Sequence, residues 1–326
     1  MSTIPSSMQL CRTLCAALAI TAAGAASAAY PDHPITMILP FPAGGSVDAV
    51  ARLTAAELGK RLGATIVVEN VPGAGGTIST QRVARAAPDG YTLLFTTPNH
   101  TINPAILPKL PFDTEKDFAP VSLVAQIPEL LVANSKQPFS DFKGFVDYAR
   151  KNPGKLNYGS AGNGTLPHVT MELLLLQLGL NVVHVPYKGA APAMNDLLGG
   201  QIGVKLDTIT TSKPYIDTGR LKPLAYASDK RSPLMPDVPT IAESGLPGYE
   251  GILWLGILGP KGTPPAIVDK LNKTIAEMDK DPEIVKRLTE MGVEPVFNSP
   301  QAFQQMISKE IAQWKDVVQR AHITVN

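Results

Sequence analysis

The stretch ITMILPFPAGGSVDAV, residues 35–50, contains the unit on which the fold is built. An apolar run at residues 35–39 predicts a strand, and a helical pattern extends from residue 47 to residue 62. Between them lies a loop with two adjacent glycines, Gly44 and Gly45. The same succession of strand, loop and helix recurs along the chain. Strands that alternate with helices predict parallel sheets with right-handed crossovers, and therefore an α/β fold.

The repeats of this unit continue to residue 207, and the last third of the chain follows a different pattern. Further strands are predicted at residues 66–69, 92–96, 130–133, 156–159, 182–185 and 204–207, and helices at 77–86, 142–151, 166–178 and from 192. A continuous apolar strand follows at residues 252–258, and helices at 265–279, 282–291 and 300–321. A helical tail of this kind is typical of a chain that leaves its first domain, builds a second and returns. The length of 326 residues also favours two domains.

The first 28 residues have the pattern of a secretory signal peptide. One positive residue, Arg12, precedes an apolar run at residues 14–23, and the small residues Ala26, Ser27 and Ala28 follow. This run is too short for a membrane anchor, since a span needs about 20 apolar residues. Both cysteines of the chain lie in this segment, so the exported protein is expected to begin near Ala29 and to contain neither a disulfide nor a reactive thiol.

Charge, histidine spacing and failed motifs argue against several classes of function. The 29 basic residues nearly balance 28 acidic ones and form no basic stripe, which argues against a nucleic-acid partner. The five histidines include no pair at i, i+4, so no metal site is predicted. The glycine-rich run at residues 73–78 lacks the last glycine of a dinucleotide motif, and the segment around Ser160 lacks the first glycine of a nucleophile elbow. Neither a cofactor nor a catalytic residue is predicted.

Four loops with unusual composition follow predicted strands. In open α/β sheets, ligands bind beyond the carboxyl ends of the strands, where helix N-termini favour an anion. The first loop, residues 40–48, leads into a helix for which Ser46 is the expected N-cap. The second, residues 96–101, and the third, residues 160–165, are rich in hydroxyl and small side chains. The fourth, residues 185–192, contains Tyr187 and Lys188, the only Lys or Arg in the four loops.

The residues of these loops resemble a known family. The combination of Pro40-Phe41, Gly44-Gly45 and Asp48 is similar to the mature N-terminus of Bug-type receptors, the solute-binding proteins of tripartite tricarboxylate transporters. Further matches are the segments at residues 69–76, 89–93, 185–189, 196–200 and 237–240. The resemblance covers essentially the whole chain after the signal peptide.

The resemblance implies a type II periplasmic-binding-protein fold, with mostly parallel sheets in two lobes and a hinge of two chain crossings. Together with the element pattern it places residues 29–127 plus 251–326 in lobe 1 and 128–250 in lobe 2, with crossings near residues 124–128 and 249–253. It also implies that a small carboxylate is held between the lobes by backbone N–H groups and ordered water. The expected ligand-binding residues are Phe41, Ala43, Gly44, Gly45, Asp48, Thr97, Ser160, Ala161, Gly162, Asn163, Gly164, Thr165, His168, Tyr187, Lys188 and Asp207.

Three functions remain open at this point. The first is a periplasmic receptor, expected to be a monomer, that delivers its ligand to the membrane subunits of a transporter. The second is a sensor that reports its bound state to a membrane signalling protein such as a sensor kinase. The third is a hydrolase or isomerase that uses His168 and Asp207. The ligand could be a dicarboxylate, a tricarboxylate, an aromatic acid or an amino acid, because the sequence departs from the family pattern at residues 98–100 and 208–211.

Overall fold

A computed structural model describes residues 30–324, and the predicted signal peptide lies outside them. The chain forms ten strands and ten α-helices within this range. The strands are β1 Ile35–Leu39, β2 Ile66–Asn70, β3 Thr92–Thr96, β4 Phe118–Asn134, β5 Asn157–Ser160, β6 Val183–Pro186, β7 Val204–Thr208, β8 Leu221–Tyr226, β9 Ile252–Pro260 and β10 Glu294–Pro295. The helices are α1 Ser46–Leu62, α2 Thr77–Ala84, α3 Asn99–Ile106, α4 Phe142–Lys151, α5 Leu166–Leu178, α6 Ala190–Gly199, α7 Ile209–Asp217, α8 Pro265–Ala276, α9 Pro282–Glu290 and α10 Pro300–Arg320.

The strands form two sheet regions that share β4. The first has the order β2-β1-β3-β9-β4, with β10 also paired to β4. The second joins the far end of β4 to β7, β5 and β6 in that order, with β8 paired to β4. Strands connected by helices run parallel within each region, namely β1 with β2 and β3, and β5 with β6 and β7. Strands β4 and β9 run antiparallel to their neighbours.

Two long strands carry the chain between the two regions. Strand β4 pairs with β9 from Phe118 to Pro128 and with β7 from Glu129 onward. At the junction Ile127 lies opposite Leu253, and the Glu129 amide donates to the Gly251 carbonyl at 3.0 Å. Two adjacent strand segments therefore connect the two halves of the molecule.

The C-terminal helix α10 packs against both halves. Phe303, Ile307 and Ile311 lie in a hydrophobic cluster with Trp254 of β9. Trp314 and Val317, along with Val318, lie in another cluster, which is built mainly from residues of the second region. The assignment of residues 251–326 to lobe 1 stays a prediction. The second half of α10 packs against residues of the second region.

Several elements differ from the sequence-based expectation. Strand β4 is much longer than the predicted strand at residues 130–133. The rest of it was not predicted, because prolines and polar residues such as Pro120 and Gln126 interrupt its apolar pattern. Residues 99–101, expected in a loop, belong to α3. Helix α7 and strand β8 are not predicted at all. Both α3 and α7 contain an internal proline, Pro104 and Pro214, which is unusual within a helix.

Candidate functional site

The first loop is held in place by hydrogen bonds to Asp48, which lies in the first turn of α1. The Asp48 carboxylate accepts hydrogen bonds from the Gly44 amide at 3.0 Å, from Arg52 Nε at 3.0 Å and from Asn70 Nδ2 at 2.9 Å. Asn70 Nδ2 also donates to the Phe41 carbonyl at 2.9 Å. The hydrogen bond from Arg52, together with those from Gly44 and Asn70, lowers the pKa of Asp48 to about 2. The Asp48 side chain is buried, and its oxygens already accept hydrogen bonds from protein donors. We therefore assign Asp48 the role of fixing the conformation of the first loop.

The exposed side of the first loop is made of backbone. Ala43, Gly44 and Gly45 are exposed, and Phe41 is half-buried beside them. The N-cap of α1 is Gly45, and no side chain caps the helix, so the expectation that Ser46 is the N-cap is wrong. Within residues 30–324 the amides of Gly45 and Ser46 have no acceptor. These two N–H groups at the start of a helix are therefore available to an anion.

Replacing Asp48 by asparagine should weaken ligand binding without unfolding the protein. Asp48→Asn keeps the side-chain shape but removes the charge that holds Gly44 and Arg52, and hydrogen bonds to charged groups contribute about 1.5–3 kcal/mol. We expect an affinity loss of about tenfold, measured by calorimetry. Asp147→Asn is the matched control, because Asp147 forms a similar i, i+4 ion pair with Lys143 on the exposed face of α4. Equal affinity of the two variants would contradict a positioning role for Asp48.

The second loop is buried at its start. Thr97 and His100 are almost inaccessible, and His100 Nε2 lies 3.2 Å from the Thr114 carbonyl. Burial lowers the pKa of His100 to about 4, so the ring is neutral at pH 7. Asn99, in this segment, and Asn103, further along α3, line a cavity described below.

Some amides of the third loop are already used within the loop. The Gly162 amide donates to Ser160 Oγ at 3.1 Å, and the Gly164 amide donates to His168 Nδ1 at 2.9 Å. Within residues 30–324 the amides of Ala161 and Asn163 have no acceptor. The glycines therefore shape this loop, while Ala161 and Asn163 offer the free donors.

Three stacked aromatic rings support the third loop. His168 and His184 stack with centroids 3.8 Å apart, and Tyr158 stacks on His184 at 4.8 Å. Ser160 Oγ lies 2.7 Å from His184 Nε2. Burial lowers the pKa of His184 to about 4, and burial together with the neighbouring His184 lowers the pKa of His168 to about 3. Both rings are therefore neutral at pH 7.

The depressed pKa of His168 predicts a loss of stability at mildly acidic pH. Between pH 6.5 and about 3 the unfolded chain binds a proton on His168 and the folded chain does not. The contribution of His168 to the free energy of unfolding therefore falls as the pH decreases through this range. At pH 5 the difference for one such histidine is about 2 kcal/mol. Urea titrations of the wild type and His168→Asn at pH 7.5 and pH 5 should show a stability gap that is smaller by this amount at pH 5. A gap that is the same at both values would show that His168 titrates normally.

The fourth loop is tied to the third through its backbone. The Tyr187 amide donates to the Ser160 carbonyl at 3.2 Å, and the Gly189 amide donates to the Ala161 carbonyl at 3.1 Å. The Tyr187 hydroxyl donates to Asp196 at 2.6 Å, which fixes the ring against α6, and burial with this contact raises its pKa to about 12. Lys188 is exposed and forms no ion pair among the described residues. The two loops therefore form one rigid wall from which Lys188 projects.

A buried group of charged residues lies at the end of β7. Asp207 forms an ion pair with Lys205, with 2.9 Å between Nζ and Oδ2, and accepts a hydrogen bond from the Thr208 amide at 2.8 Å. Lys205 is 1% exposed and also donates to the Leu206 carbonyl at 3.2 Å. Glu129 of the neighbouring strand lies opposite Thr208, and burial, together with the Asp207 charge, raises its pKa to about 8. Asp207 is thus neutralised by Lys205, and Glu129 is protonated at pH 7.

Two cavities lie beside these loops. One, of about 390 Å³, is bounded on one side by Ala74, Gly75, Asn99 and Asn103, and on the other by residues 163–165 of the third loop. The other, of about 500 Å³, lies between α6 and α7 at the end of β7 and includes Asp207 in its wall. The first cavity therefore joins the two halves of the chain, and the second belongs to the second half.

The expected site residues fall into separate groups in space. The third and fourth loops touch each other, and Asn163, Gly164 and Thr165 share a cavity with residues from the first half. Asp207 lines the other cavity, and the first loop lines neither. Four residues that support the site were not predicted from the sequence, namely Asn70, Glu129, His184 and Lys205. Of these, only Lys205 had a signal in the sequence, because a lysine within the predicted strand at residues 204–207 indicates a buried charge.

The arrangement gives little support to acid–base or nucleophilic chemistry. Ser160 and His184 form a close pair, but within residues 30–324 no carboxylate hydrogen-bonds to His184 to orient it as a base. His168 accepts from a backbone amide and Asp207 is paired with Lys205, and these two residues do not hydrogen-bond to each other. No helix between residues 30 and 324 has both the length and the apolar character to cross a bilayer.

Comparison with known proteins identifies similar chains. A family model described as tripartite tricarboxylate transporter family receptor matches residues 50–323. A solved R. palustris protein, Rpa4515 with adipate, is 36% identical with a TM-score of 0.80, over 90% of this chain and 99% of that one. MatC from Rhodopseudomonas palustris, with bound malate, is 38% identical with a TM-score of 0.75, over 89% of this chain and 100% of that one.

A third solved structure supports the same fold. The periplasmic binding protein BugD is 39% identical with a TM-score of 0.76, over 90% of this chain and 99% of that one. The predicted α/β periplasmic-binding-protein fold and the resemblance to Bug-type receptors are confirmed by these likenesses.

Proposed function

This chain belongs to the tripartite tricarboxylate transporter receptor family, and we propose that it is exported to the periplasm, captures a small carboxylate between two lobes and delivers it to the membrane subunits of such a transporter. The observation that carries this proposal is the cavity of about 390 Å³ bounded by residues of both halves of the chain. A ligand in such a cavity contacts both lobes at once. Its binding free energy then favours the closed arrangement, which a transporter can distinguish from the empty one.

The free backbone amides support a carboxylate as the ligand. Asn163, which lines this cavity, and its neighbour Ala161 offer N–H donors on one half of the chain, and Gly45 and Ser46 at the start of α1, outside the cavity lining, offer them on the other. Hydrogen bonds from backbone N–H groups stabilise a carboxylate, and they become stronger when water is excluded from the site. Lys188 is the only Lys or Arg in the four loops, so most of the binding energy is assigned to the backbone.

We assign the protein no catalytic step. Solved relatives with 36% and 38% identity contain adipate and malate, respectively, and both molecules are carboxylates. In this chain Ser160 is completely buried and the neighbouring histidines are neutral and stacked. The ligand is therefore expected to leave the protein chemically unchanged.

A thermal-shift screen of carboxylates tests this function. Ligand at a hundred times its dissociation constant should stabilise the fold by about 2.7 kcal/mol through mass action. Chromatography after long incubation should recover the ligand unaltered. Uptake of the labelled ligand by cells that lack the protein should fall to background and return on complementation. A product in the recovered material, lost in His168→Asn or Asp207→Asn, would favour an enzyme instead.

Closure of the two lobes on the ligand should be visible by small-angle scattering. The adjacent segments of β4 and β9 near Ile127 and Leu253 form a connection in which few residues would absorb the change in dihedral angles. A compact chain of this length has a radius of gyration of about 19 Å, and closure should lower the measured value. An unchanged curve at saturating ligand would rule out the hinge mechanism.

A further inference from the structure

The cavity between α6 and α7 has a wall that is largely apolar. Its lining includes the side chains of Ala190, Ala191, Met194, Pro214 and Tyr215, and its volume is about 500 Å³. It lies at the carboxyl end of β7, and the helix α6 that forms one side begins at Ala190, within the fourth loop as predicted from the sequence. The Gly189 amide donates to the Ala161 carbonyl, and the next residue, Ala190, lines the cavity, so a carboxylate bound at the free amide of Ala161 has this cavity nearby.

The charges around this cavity do not favour a second carboxylate. Asp207 is the one charged residue in the lining, and no lysine or arginine lines it. The Lys205 ammonium lies beneath the surface, 1% exposed, and is already shared between Asp207 and a backbone carbonyl. The charges of Lys205 and Asp207 balance each other and the protonated Glu129 adds none, so an incoming anion has no uncompensated cation to meet.

The neutral polar groups of the wall do not replace a cation. The Thr211 hydroxyl donates to the Thr208 carbonyl at 3.0 Å and is therefore not free to donate to a ligand. The Asn195 amide and the Tyr215 hydroxyl are the other neutral polar groups of the lining, and neither carries a positive charge. Neither Lys188 nor Arg220, which lies 5.6 Å from the centroid of the Tyr215 ring, belongs to the lining.

From this cavity we infer the ligand class: a monocarboxylate whose other end is an apolar chain or an aromatic ring, seated between α6 and α7. The inference rests on the proposed function, because it assumes that the carboxylate end is bound at the loops. It differs from the ligands of the relatives solved with adipate and malate, whose names denote dicarboxylates. Burial of the tail against Met194 and Tyr215 supplies the hydrophobic part of the affinity.

Three probes of equal chain length test the inference. Hexanoate, adipate and 6-aminohexanoate share one carboxylate and differ at the far end, which is a methyl group, a carboxylate or an ammonium. Benzoate, terephthalate and 4-(aminomethyl)benzoate form the corresponding aromatic series. Calorimetry on the exported protein should show that the methyl or unsubstituted member binds about tenfold tighter than the dicarboxylate in at least one series.

A charge placed in the cavity should change this order. Thr211→Lys introduces a cation on an exposed lining position of α7, so the preference over the dicarboxylate should disappear or reverse. Thr218→Lys adds the same charge on an exposed residue just after α7 and outside the lining, and it should leave the preference unchanged. Circular dichroism of both variants confirms that the fold is retained.

Other outcomes overturn the inference in distinguishable ways. Tightest binding of adipate or terephthalate would show a second carboxylate subsite, and tightest binding of the ammonium members would make Asp207 an ion partner. If neither series binds while other carboxylates in the screen do, the cavity is not a tail site and the proposed receptor function stands. If no carboxylate of any shape binds, the proposed function fails together with the inference.

Discussion

Gly162→Val is expected to remove carboxylate binding, with a loss of affinity on the order of a hundredfold. Gly162 has a φ of +132°, and a Cβ atom built on it would lie 3.1 Å from the Tyr187 carbonyl oxygen. Any residue other than glycine is strained at this φ by about 1–3 kcal/mol, so the loop must move to relieve the strain. The movement would displace Ala161 and Asn163, whose amides are the free donors of this loop.

A matched glycine separates this effect from strain alone. Gly179, at the end of α5, has a φ of +63°, and a Cβ atom there would have no neighbour within 4 Å. Gly179→Val should therefore lower the unfolding temperature but leave the affinity, measured by calorimetry, close to that of the wild type. Lys188→Ala is the second comparison. If the loss of Lys188 reduces affinity more than Gly162→Val does, the side-chain cation and not the backbone holds the carboxylate.

Trp254→Ala should have the largest effect on stability, about 3–5 kcal/mol of unfolding free energy. Trp254 is 1% exposed, packs edge-on against Phe303 at 5.5 Å, and donates its indole N–H to Glu310 at 2.8 Å. It joins β9 to α10 on the side of the first sheet region. Urea unfolding followed by circular dichroism measures the loss.

The two tryptophans allow each half of the molecule to be followed separately. The chain contains two tryptophans, Trp254 beside the first sheet region and Trp314 in the cluster of the second. Trp254→Phe and Trp314→Phe each leave one fluorescent reporter. Because α10 packs against both halves, the fluorescence midpoint in urea should coincide, within each variant, with the midpoint measured by circular dichroism. Separate midpoints within one variant would mean that α10 does not couple the two halves.

The architecture could be predicted from sequence where patterns are local. The strand, loop and helix around residues 35–62 show a clear change of period, and β1 and α1 lie where expected. Strand β4 was mostly missed, because its residues pair on changing sides with β9, β10, β7 and β8, so no single apolar period describes it. Pairing of this kind is set by distant strands and leaves little trace in a local window.

The candidate site could be predicted as a set of loops but not in its hydrogen bonds. The glycine-rich composition indicates where the backbone approaches a ligand, and this points to residues 44–45 and 162–164. The composition does not show which backbone amides lack an acceptor. The amides of Gly44, Gly162 and Gly164 donate hydrogen bonds to the side chains of Asp48, Ser160 and His168, respectively. Those partners depend on side-chain rotamers and on residues such as Asn70, 22 positions from Asp48 in the chain.

The position of β9 has a consequence for the order in which the protein can fold. Strand β9 lies between β3 and β4, although more than a hundred residues separate it from either of them in sequence. Until residue 260 has been synthesised, β3 and β4 each have an unpaired edge, and the first sheet region cannot close. Pairings between such distant segments form slowly, because the loop must be closed before any contact repays its entropy. The first half of the chain therefore stays open and accessible to chaperones for most of its synthesis, and its core is completed only when the last fifth of the protein arrives.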